Sequence, residues 1–405
     1  MKMSEKNELK QKLSRRGLYY VHSKYSFNAQ NDDTYGNSNE DEEYLILFSD
    51  KSLDGNSFST YFIPSRAYVI DENQGEITEG SYVSYKNKML QNADADETVI
   101  QWKKELDDIR ASIIGQFTDR EPRGCIGVVS NVSSYHVNVG HGNCSIIVFK
   151  DGSDYRMWMV DCSSYDFTSG KHYYLNIKKC LKDIEKQYGV KTVSKLFVTH
   201  LHFDHYNAVN KLVEKGFINA DTEVWMNIKY PKHGRRITKM LDCLRDAHVR
   251  FIDPTTSINT DHIQVLYPTI AFDESFLPPK NKINNSSIVL KFTLDGKSIL
   301  FPGDIETAGW GEIGCCKNCL KDIDYYCISH HGSINGHLWN CKLMNGLIPL
   351  TKCIDSKMQI LMGRDTAYRG IYSRQVLGDF DNVKVVEKAN TYIKIDWSKN
   401  EAKPY

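Results

Sequence analysis

Three histidines and an aspartate stand within six positions of this chain, directly after a run of apolar residues. The segment is VTHLHFDHYNAV, residues 198–209, and its polar members are His200, His202, Asp204 and His205. With 13 histidines in 405 residues, chance is a poor explanation for this density. Imidazole and carboxylate suit divalent zinc, manganese or iron. The segment therefore predicts a buried strand followed by a turn that supplies metal ligands.

Three more predicted strands end in residues of the same chemical kind. ILFPGD ends in Asp304, YYCISHHGS carries His330 and His331, and WMVDC carries Asp161. Gly303, just before Asp304, permits a close backbone approach because it has no side chain. We expect these strand ends to converge with the histidine segment at one edge of a sheet.

The composition is that of an ordinary soluble globular protein. Apolar residues make up 41% of the chain and charged residues 25%. Lys plus Arg and Asp plus Glu both number 51, which argues against a strongly basic nucleic-acid coat protein but leaves room for a local basic groove. No stretch approaches the roughly 18 apolar residues that span a bilayer, and the charged N-terminus lacks a signal-peptide core. We expect a cytoplasmic protein without a membrane partner.

The cysteines do not indicate a disulfide framework. They number 11 and are irregularly spaced, which is typical of reduced thiols. Cys316 and Cys319 form one CxxC motif. Because a second pair with zinc-site spacing is missing, a surface turn is the better interpretation.

The chain divides into two regions of different pattern. Residues 1–124 contain aromatic and β-branched runs such as LYYVHSKYSF and one amphipathic helix at 96–117. They predict a β-rich N-terminal module without a catalytic motif, which we expect to bind a protein partner or shape the substrate site. Residues 125–405 alternate many strands with helices, in two series. This pattern predicts an α/β domain of two sheets with helices outside them.

The motifs resemble those of a known family. THLHFDH matches the HxHxDH signature of metallo-β-lactamase-fold hydrolases, and the chain looks more specifically like the soluble nuclease-like domain of ComEC-type DNA-uptake competence proteins. Six motifs occur in that family's order over about 270 residues: NVGHGNCSIIVF, VDCSS, THLHFDH, NNSSIVL, FPGDIE and SHHGS. The resemblance implies an αββα sandwich for residues 125–405 and does not cover the N-terminal module.

The resemblance also implies a site for two divalent cations, zinc or manganese. In this resemblance, His200 and His202 are ligands of the first cation. Asp204, His205 and His330 are ligands of the second cation, and Asp304 bridges both. Asp161 resembles the buried acid that orients the histidine loop. His331 is left as a neighbour of the ligand His330.

Some positions depart from the family pattern. Many members have a third histidine ligand where this chain has Asn284 and Asn285, so we expect a weaker first site with Asn284 beside it. The family's DVGQGD is NVGHGN here, which places His141 in a glycine-flanked loop. His141 is predicted to border the site, as a replacement ligand or a substrate contact, with a plain spacer as the alternative.

The expected chemistry is hydrolysis of a phosphodiester. Two cations lower the pKa of a water between them and clamp the oxygens of an in-line displacement. Asp204 is expected to orient the attacking hydroxide, His331 or His141 to protonate the leaving group, and Ser333 to donate to a phosphate oxygen. A basic segment at 228–239 predicts contacts to a polyanion, and its candidate residues are Lys229, Lys232, Arg235 and Arg236. The alternative is a solvated helix start.

The sequence thus predicts a metal-dependent phosphodiesterase or nuclease acting on DNA, RNA or a nucleotide. By analogy alone, a stand-alone copy suggests defence against foreign nucleic acid. Two alternatives remain open. One is a non-phosphate metallohydrolase such as a lactonase, thioesterase or amidase, and the other is a binding module with a relic metal site.

Overall fold

The structure is a computed structural model of the full chain. It describes residues 18–27, 42–49, 60–64, 77, 81–86, 89–115, 122–124, 127–228, 234–254, 258–268, 283–313, 320–341, 346–365, 367 and 371–405. The CxxC motif at Cys316 and Cys319 lies outside these residues, as do Lys229 and Lys232 of the basic segment. Free thiols are carried by the buried Cys144, Cys162, Cys180, Cys327 and Cys353 and by the half-buried Cys243.

Within the described ranges, the strands in chain order are β1 (Leu18–Phe27), β2 (Glu42–Ser49), β3 (Thr60–Pro64), β4 (Tyr82–Lys86), β5 (Met89–Asn92), β6 (Val129–Val137), β7 (Cys144–Asp151), β8 (Asp154–Cys162), β9 (Tyr165–Asp166), β10 (Lys171–His172), β11 (Lys195–Val198), β12 (Glu223–Met226), β13 (Arg250–Ile252), β14 (Ile263–Tyr267), β15 (Val289–Leu294), β16 (Lys297–Phe301), β17 (Ile323–Cys327), β18 (Leu338–Cys341), β19 (Gly346–Pro349), β20 (Ser356–Leu361), β21 (Val383–Val385), β22 (Tyr392–Asp396) and β23 (Glu401–Pro404). The α-helices are α1 (Glu97–Ile114), α2 (Tyr174–Tyr188), α3 (Phe203–Tyr206), α4 (Val209–Glu214), α5 (Arg235–Asp246), α6 (Thr307–Ile313), α7 (Ile334–His337) and α8 (Arg374–Gly378). None of these helices is long and apolar enough to cross a bilayer.

The chain separates into two compact units. The N-terminal unit comprises residues 1–112 together with 231–241, and the second unit comprises 113–230 and 242–405. In the N-terminal unit, five antiparallel strands form a sheet in the order β3-β2-β1-β4-β5. Helix α1 contacts this sheet through Trp102, whose ring lies 5.4 Å from that of Tyr82. The predicted strand at 18–27 is β1, and the helix predicted at 96–117 is α1.

The second unit contains an eight-stranded mixed sheet. Its order is β13-β12-β11-β8-β7-β6-β22-β23, with β8, β11, β12 and β13 parallel and the rest antiparallel. Helix α2 follows β10 and buries Ile177, Cys180, Leu181 and Ile184, which recur at helical spacing. It ends at Gly189, where the left-handed backbone (φ +71°) suits a residue without Cβ.

A six-stranded mixed sheet faces the first one. Its order is β14-β15-β16-β17-β20-β21, with β16, β17, β20 and β21 parallel. The two sheets meet in one apolar core, in which the Phe292 ring of β15 lies 4.9 Å from that of Phe197 and 5.3 Å from that of Trp158. Packing of this kind removes both inner faces from water. It stabilises the fold by about 25 cal/mol per Å² of buried apolar surface.

The outer face of the six-stranded sheet is covered as well. Neighbouring residues of β17 enter different cores, since Tyr325 faces the first sheet while Tyr326 packs with Trp310 of helix α6. Strands covered on both faces read as continuous apolar runs, which explains why IDYYC and KSILF show no alternation with polar residues. The fold is the predicted mixed α/β arrangement of two sheets with helices outside them.

Parallel strands in both sheets end at the same place. Strand β8 ends one residue after Asp161, and strands β11, β16 and β17 run into the loops that carry His200, Asp304 and His331. In sheets of this kind, ligands bind beyond the carboxyl ends of the strands.

Candidate metal centre

Two groups of buried ligand-type side chains meet at these strand ends. Within each group, one ligand atom per residue lies within 4.8 Å of all the others: His200, His202 and Asp304 in the first group, and Asp204, His205, Asp304 and His331 in the second. Asp304 belongs to both. All are buried. Hydrophobic packing does not explain the burial of so many polar atoms in one place. Buried ionisable groups are costly unless they are paired or bind metal.

The distances fit two cations that share one carboxylate. Asp304 Oδ2 lies 3.3 Å from His205 Nε2, 3.3 Å from His331 Nε2 and 3.9 Å from His200 Nε2. In the first group, His200 Nε2 lies 3.1 Å from His202 Nδ1. Two ligands about 2.0–2.1 Å from one tetrahedral ion stand about 3.3 Å apart, so these separations suit side chains around a common ion.

Several of these atoms make no hydrogen bond to the rest of the described chain. They are His205 Nε2, His331 Nε2 and Asp304 Oδ1, all fully buried. Buried polar atoms are nearly always satisfied in native proteins. Because His205 Nε2 and His331 Nε2 both face the Asp304 carboxylate, this donor set fits divalent cations, which would satisfy these atoms.

The electrostatics of the cluster also favour cation binding. Burial raises the pKa of the Asp304 carboxyl, but His331 and His205 outweigh it and hold that pKa well below its usual range. The pKa of Asp204 is lowered in the same way, against burial, chiefly by His205. Burial lowers the pKa of His331, and Asp304 together with Asp204 reverses this and raises it to about 9. The carboxylates are thus ionised. A bound cation would displace protons from the imidazoles.

Asp161 orients the histidine loop. Its Oδ1 accepts the Thr199 backbone N–H at 2.7 Å, while its Oδ2 accepts the Thr199 hydroxyl at 2.9 Å and His205 Nδ1 at 2.8 Å. A carboxylate only accepts, so His205 Nδ1 carries the proton and Nε2 is directed at Asp304. Asp161 has φ +55°, a conformation that an aspartate tolerates better than most residues.

Gly303 allows the Asp304 loop to lie against the histidine loop. Its φ is +59°, and a Cβ there would come within 2.8 Å of Thr199 Cβ and 3.0 Å of Ser287 Oγ. The Ser287 hydroxyl accepts the Asp304 backbone N–H at 3.1 Å. The close approach expected for this glycine is therefore present.

The two histidines of SHHGS exchange the positions that the sequence predicted. Residues Ser329–Gly332 form a 3₁₀ turn in which His330 (φ +48°) and His331 (φ +50°) are both left-handed. This backbone directs His331 into the second ligand group, whereas His330 Nδ1 lies 3.2 Å from Glu306 Oε1. The structure therefore places His331, rather than the predicted ligand His330, in the second ligand group.

Glu306 is a site residue that the sequence analysis missed. It is buried, and its Oε1 accepts the Asn284 amide N–H at 3.0 Å. Because a carboxylate must face the NH₂ group, this contact fixes the amide orientation of Asn284. Glu306 is the last residue of the FPGDIE motif. Its place two residues after Asp304 was the sequence feature that could have indicated a role in the site.

His141 borders the second ligand group without joining it. Its Nε2 lies 3.5 Å from Asp204 Oδ2, and its ring lies 4.4 Å from the His331 ring. Burial, with a contribution from His331, lowers the pKa of His141 to about 3. The side chain is therefore a neutral imidazole at the edge of the centre.

The remaining predicted residues are not members of the two ligand groups. Ser333 is buried, and its backbone N–H donates to the His330 carbonyl at 2.8 Å. Arg235 and Arg236 begin helix α5 in the N-terminal unit, where the Arg235 guanidinium lies 4.8 Å from the centre of the Trp102 ring. A role of this segment in substrate binding stays a prediction.

Comparison with known proteins identifies the domain. The sequence profile of the metallo-beta-lactamase superfamily matches residues 181–309, which include the histidine segment and Asp304. No curated protein sequence matches the chain. Among solved structures, the metallo-beta-lactamase fold protein YhfI from Bacillus subtilis is 10% identical with a TM-score of 0.37, covering 63% of this chain and 96% of its own. CmlA, a diiron beta-hydroxylase from Streptomyces venezuelae, is 12% identical with a TM-score of 0.35, covering 100% of this chain and 78% of its own. The profile match supports a metallo-beta-lactamase superfamily domain in this part of the chain.

Proposed function

We propose that this protein is a hydrolase that binds two divalent cations, zinc or manganese, and cleaves phosphodiesters of nucleic acids or nucleotides. The observation that carries the proposal is the sharing of Asp304 by two adjoining ligand groups. His200 and His202 would hold one cation, and Asp204, His205 and His331 the other. When bound, such a pair would supply Lewis acidity toward a phosphoryl oxygen and would lower the pKa of a bound water molecule.

The protein side chains then have distinct tasks. Asp161 holds His205 in one tautomer and orientation, and Glu306 holds the Asn284 amide. Asp204 is ionised and can accept a hydrogen bond from the attacking water. His141 is neutral and can donate a ring N–H to the oxygen of the leaving group.

A phosphodiester is the substrate class that the charges favour. The second group contains two carboxylates, Asp204 and Asp304, with depressed pKa values. Two divalent cations exceed their combined negative charge, which leaves positive potential for an anionic substrate. The described ligands contain only nitrogen and oxygen donors, which suit manganese as well as zinc.

The proposal is tested by turnover with defined cations. Protein freed of metal with chelator and reloaded with Mn²⁺ or Zn²⁺ is assayed with bis(p-nitrophenyl) phosphate, plasmid DNA and single-stranded DNA. The double variant D204A/H205A should lose at least about 100-fold of the activity, as expected when ligation is disrupted. The matched control D261A/H262A removes an adjacent Asp–His pair outside both ligand groups and should keep wild-type turnover.

Two outcomes would contradict the proposal. Phosphodiester cleavage that persists in D204A/H205A would place the activity elsewhere. Hydrolysis of a lactone or thioester by the loaded protein, with no cleavage of any phosphodiester, would replace the substrate class and keep the cation centre.

A further inference from the structure

An Arg–Asp ion pair lies beside the metal centre without contributing a ligand. Asp166 is fully buried at the end of β9, and Arg364 follows β20. Arg364 Nε donates to Asp166 Oδ2 at 2.7 Å, and its Nη2 donates to the Thr168 hydroxyl at 2.5 Å. Neither residue belongs to a motif quoted from the sequence. We call this contact the Asp166–Arg364 bridge.

One end of the bridge reaches His141 through a glycine. Gly140 has φ +69°, and a Cβ there would come within 2.8 Å of Asp166 Cβ and 2.9 Å of its Oδ2. The Gly140 backbone therefore rests directly on the Asp166 side chain. The next residue, His141, also has its ring 6.0 Å from that of Phe167, which follows Asp166. Asp166 thus supports the loop that carries His141.

The other end reaches His331 through a second glycine. Gly363 directly precedes Arg364, and a Cβ at its φ of +104° would come within 2.9 Å of both Cβ and Nδ1 of His331. The Tyr372 hydroxyl donates to the Gly363 carbonyl at 2.8 Å, and the Ser373 N–H donates to the Gly332 carbonyl at 3.0 Å. The Gly363 backbone therefore forms the wall against which the His331 ring rests.

Together, these contacts form a closed cycle. It runs from Asp166 to Arg364, through Gly363 to His331, then across the 4.4 Å contact between the two imidazole rings to His141, and back through Gly140 to Asp166. A closed set of contacts restrains each member more than an open chain does, because no member can move without breaking a neighbouring contact.

We propose that the Asp166–Arg364 bridge is a positioning device that sets the orientation of His331 as a ligand of the second cation and holds His141 against it. The five hydrogen bonds that Asp166 accepts support this role: two from Thr168, two from Ser169 and one from Arg364. A carboxylate satisfied to this degree is fixed in place and fixes its partners. The inference rests on the proposed cation centre but not on the substrate class.

The test measures cation binding rather than turnover. R364M keeps most of the aliphatic stem and removes the hydrogen bonds, while R364K keeps the charge. Titration calorimetry with Mn²⁺ and the absorption spectrum of the Co²⁺-loaded protein report the affinity and ligand geometry of each site. The matched control is R156M, which breaks another Arg Nε–Asp Oδ2 pair, Arg156 with Asp151 at 3.2 Å.

The bridge predicts that R364M loses about 10–100-fold in affinity for one of two cations, the usual cost of removing a group that orients a ligand. Its Co²⁺ spectrum should change, R364K should recover part of the affinity, and R156M should bind both cations as the wild type does. Two wild-type affinities and an unchanged Co²⁺ spectrum in R364M would overturn the proposal, whatever its thermal stability. If R364M does not fold, R364K and D166N are judged by the same criterion. Wild-type protein that binds no cation would instead reject the proposed centre.

Discussion

His331 Nε2 lies 3.3 Å from Asp304 Oδ2 and 3.4 Å from Asp204 Oδ2, so this imidazole faces the two carboxylates of the second ligand group. Its neighbour His330 is turned toward Glu306 instead. The two adjacent histidines therefore have different roles, which substitution can separate.

Replacing His331 should cost the second cation, whereas replacing His330 should not. H331A removes one ligand of the second group and should weaken binding of one of two cations by at least about 100-fold. H330A leaves both ligand groups complete and serves as the matched control. Equilibrium titration with Mn²⁺ measures both affinities. Equal losses in the two variants would contradict the assignment.

Replacing Asp161 should weaken the centre without removing a ligand. In the wild type, the two carboxylate oxygens of Asp161 accept three hydrogen bonds. D161N has only one side-chain oxygen, so either Thr199 or His205 loses its partner. We expect about a 10–100-fold loss of cation affinity. D151N, at a buried aspartate that binds Arg156 and the Gly127 N–H, is the control. If D161N binds cations as the wild type does, Asp161 does not orient the histidine loop.

The metal-free protein should become less stable at alkaline pH. The folded pKa of His331 is raised to about 9 from 6.5, so its protonation stabilises the fold fully below about pH 6.5, and this contribution is lost as the pH rises through about 9. The melting temperature in chelator, followed by circular dichroism, should fall between pH 7 and 9.5. H331A should fall less over the same range, because the stabilising proton is gone. An equal fall in both proteins would contradict the raised pKa.

Adding one methyl group at Gly303 should disturb the centre. G303A places a Cβ 2.8 Å from Thr199 in a left-handed backbone, a strain of about 1–3 kcal/mol. The displaced backbone should lower both the melting temperature and the cation affinity, because Asp304 is the next residue. G296A has a similar φ of +71° with nothing within 4 Å, so it should lose only stability. Unchanged cation affinity in G303A would show that the two loops are not coupled.

The sequence was sufficient for the parts of the site that local pattern determines. His200, His202, Asp204 and His205 follow a buried strand, and the apolar run before Asp304 marks another. The expectation of one shared site came from the rule that ligands bind beyond the carboxyl ends of such strands. The same apolar runs predicted the two-sheet fold.

What the sequence could not supply depends on backbone geometry or on distant contacts. The choice between His330 and His331 follows from left-handed conformations in a four-residue turn, which the residue types do not encode. The Asp166–Arg364 bridge joins residues 198 positions apart. Asp166 ends the two-residue strand β9 and Arg364 follows β20, and neither shows a pattern in the sequence before the fold brings them together.

The most direct test of the cation centre is a crystal soaked in Mn²⁺ and measured for anomalous scattering. We predict two peaks on either side of Asp304, one bonded to His200 and His202 and the other to Asp204, His205 and His331. No peak among these side chains, or a single peak bonded only to residues outside the two groups, would contradict the account.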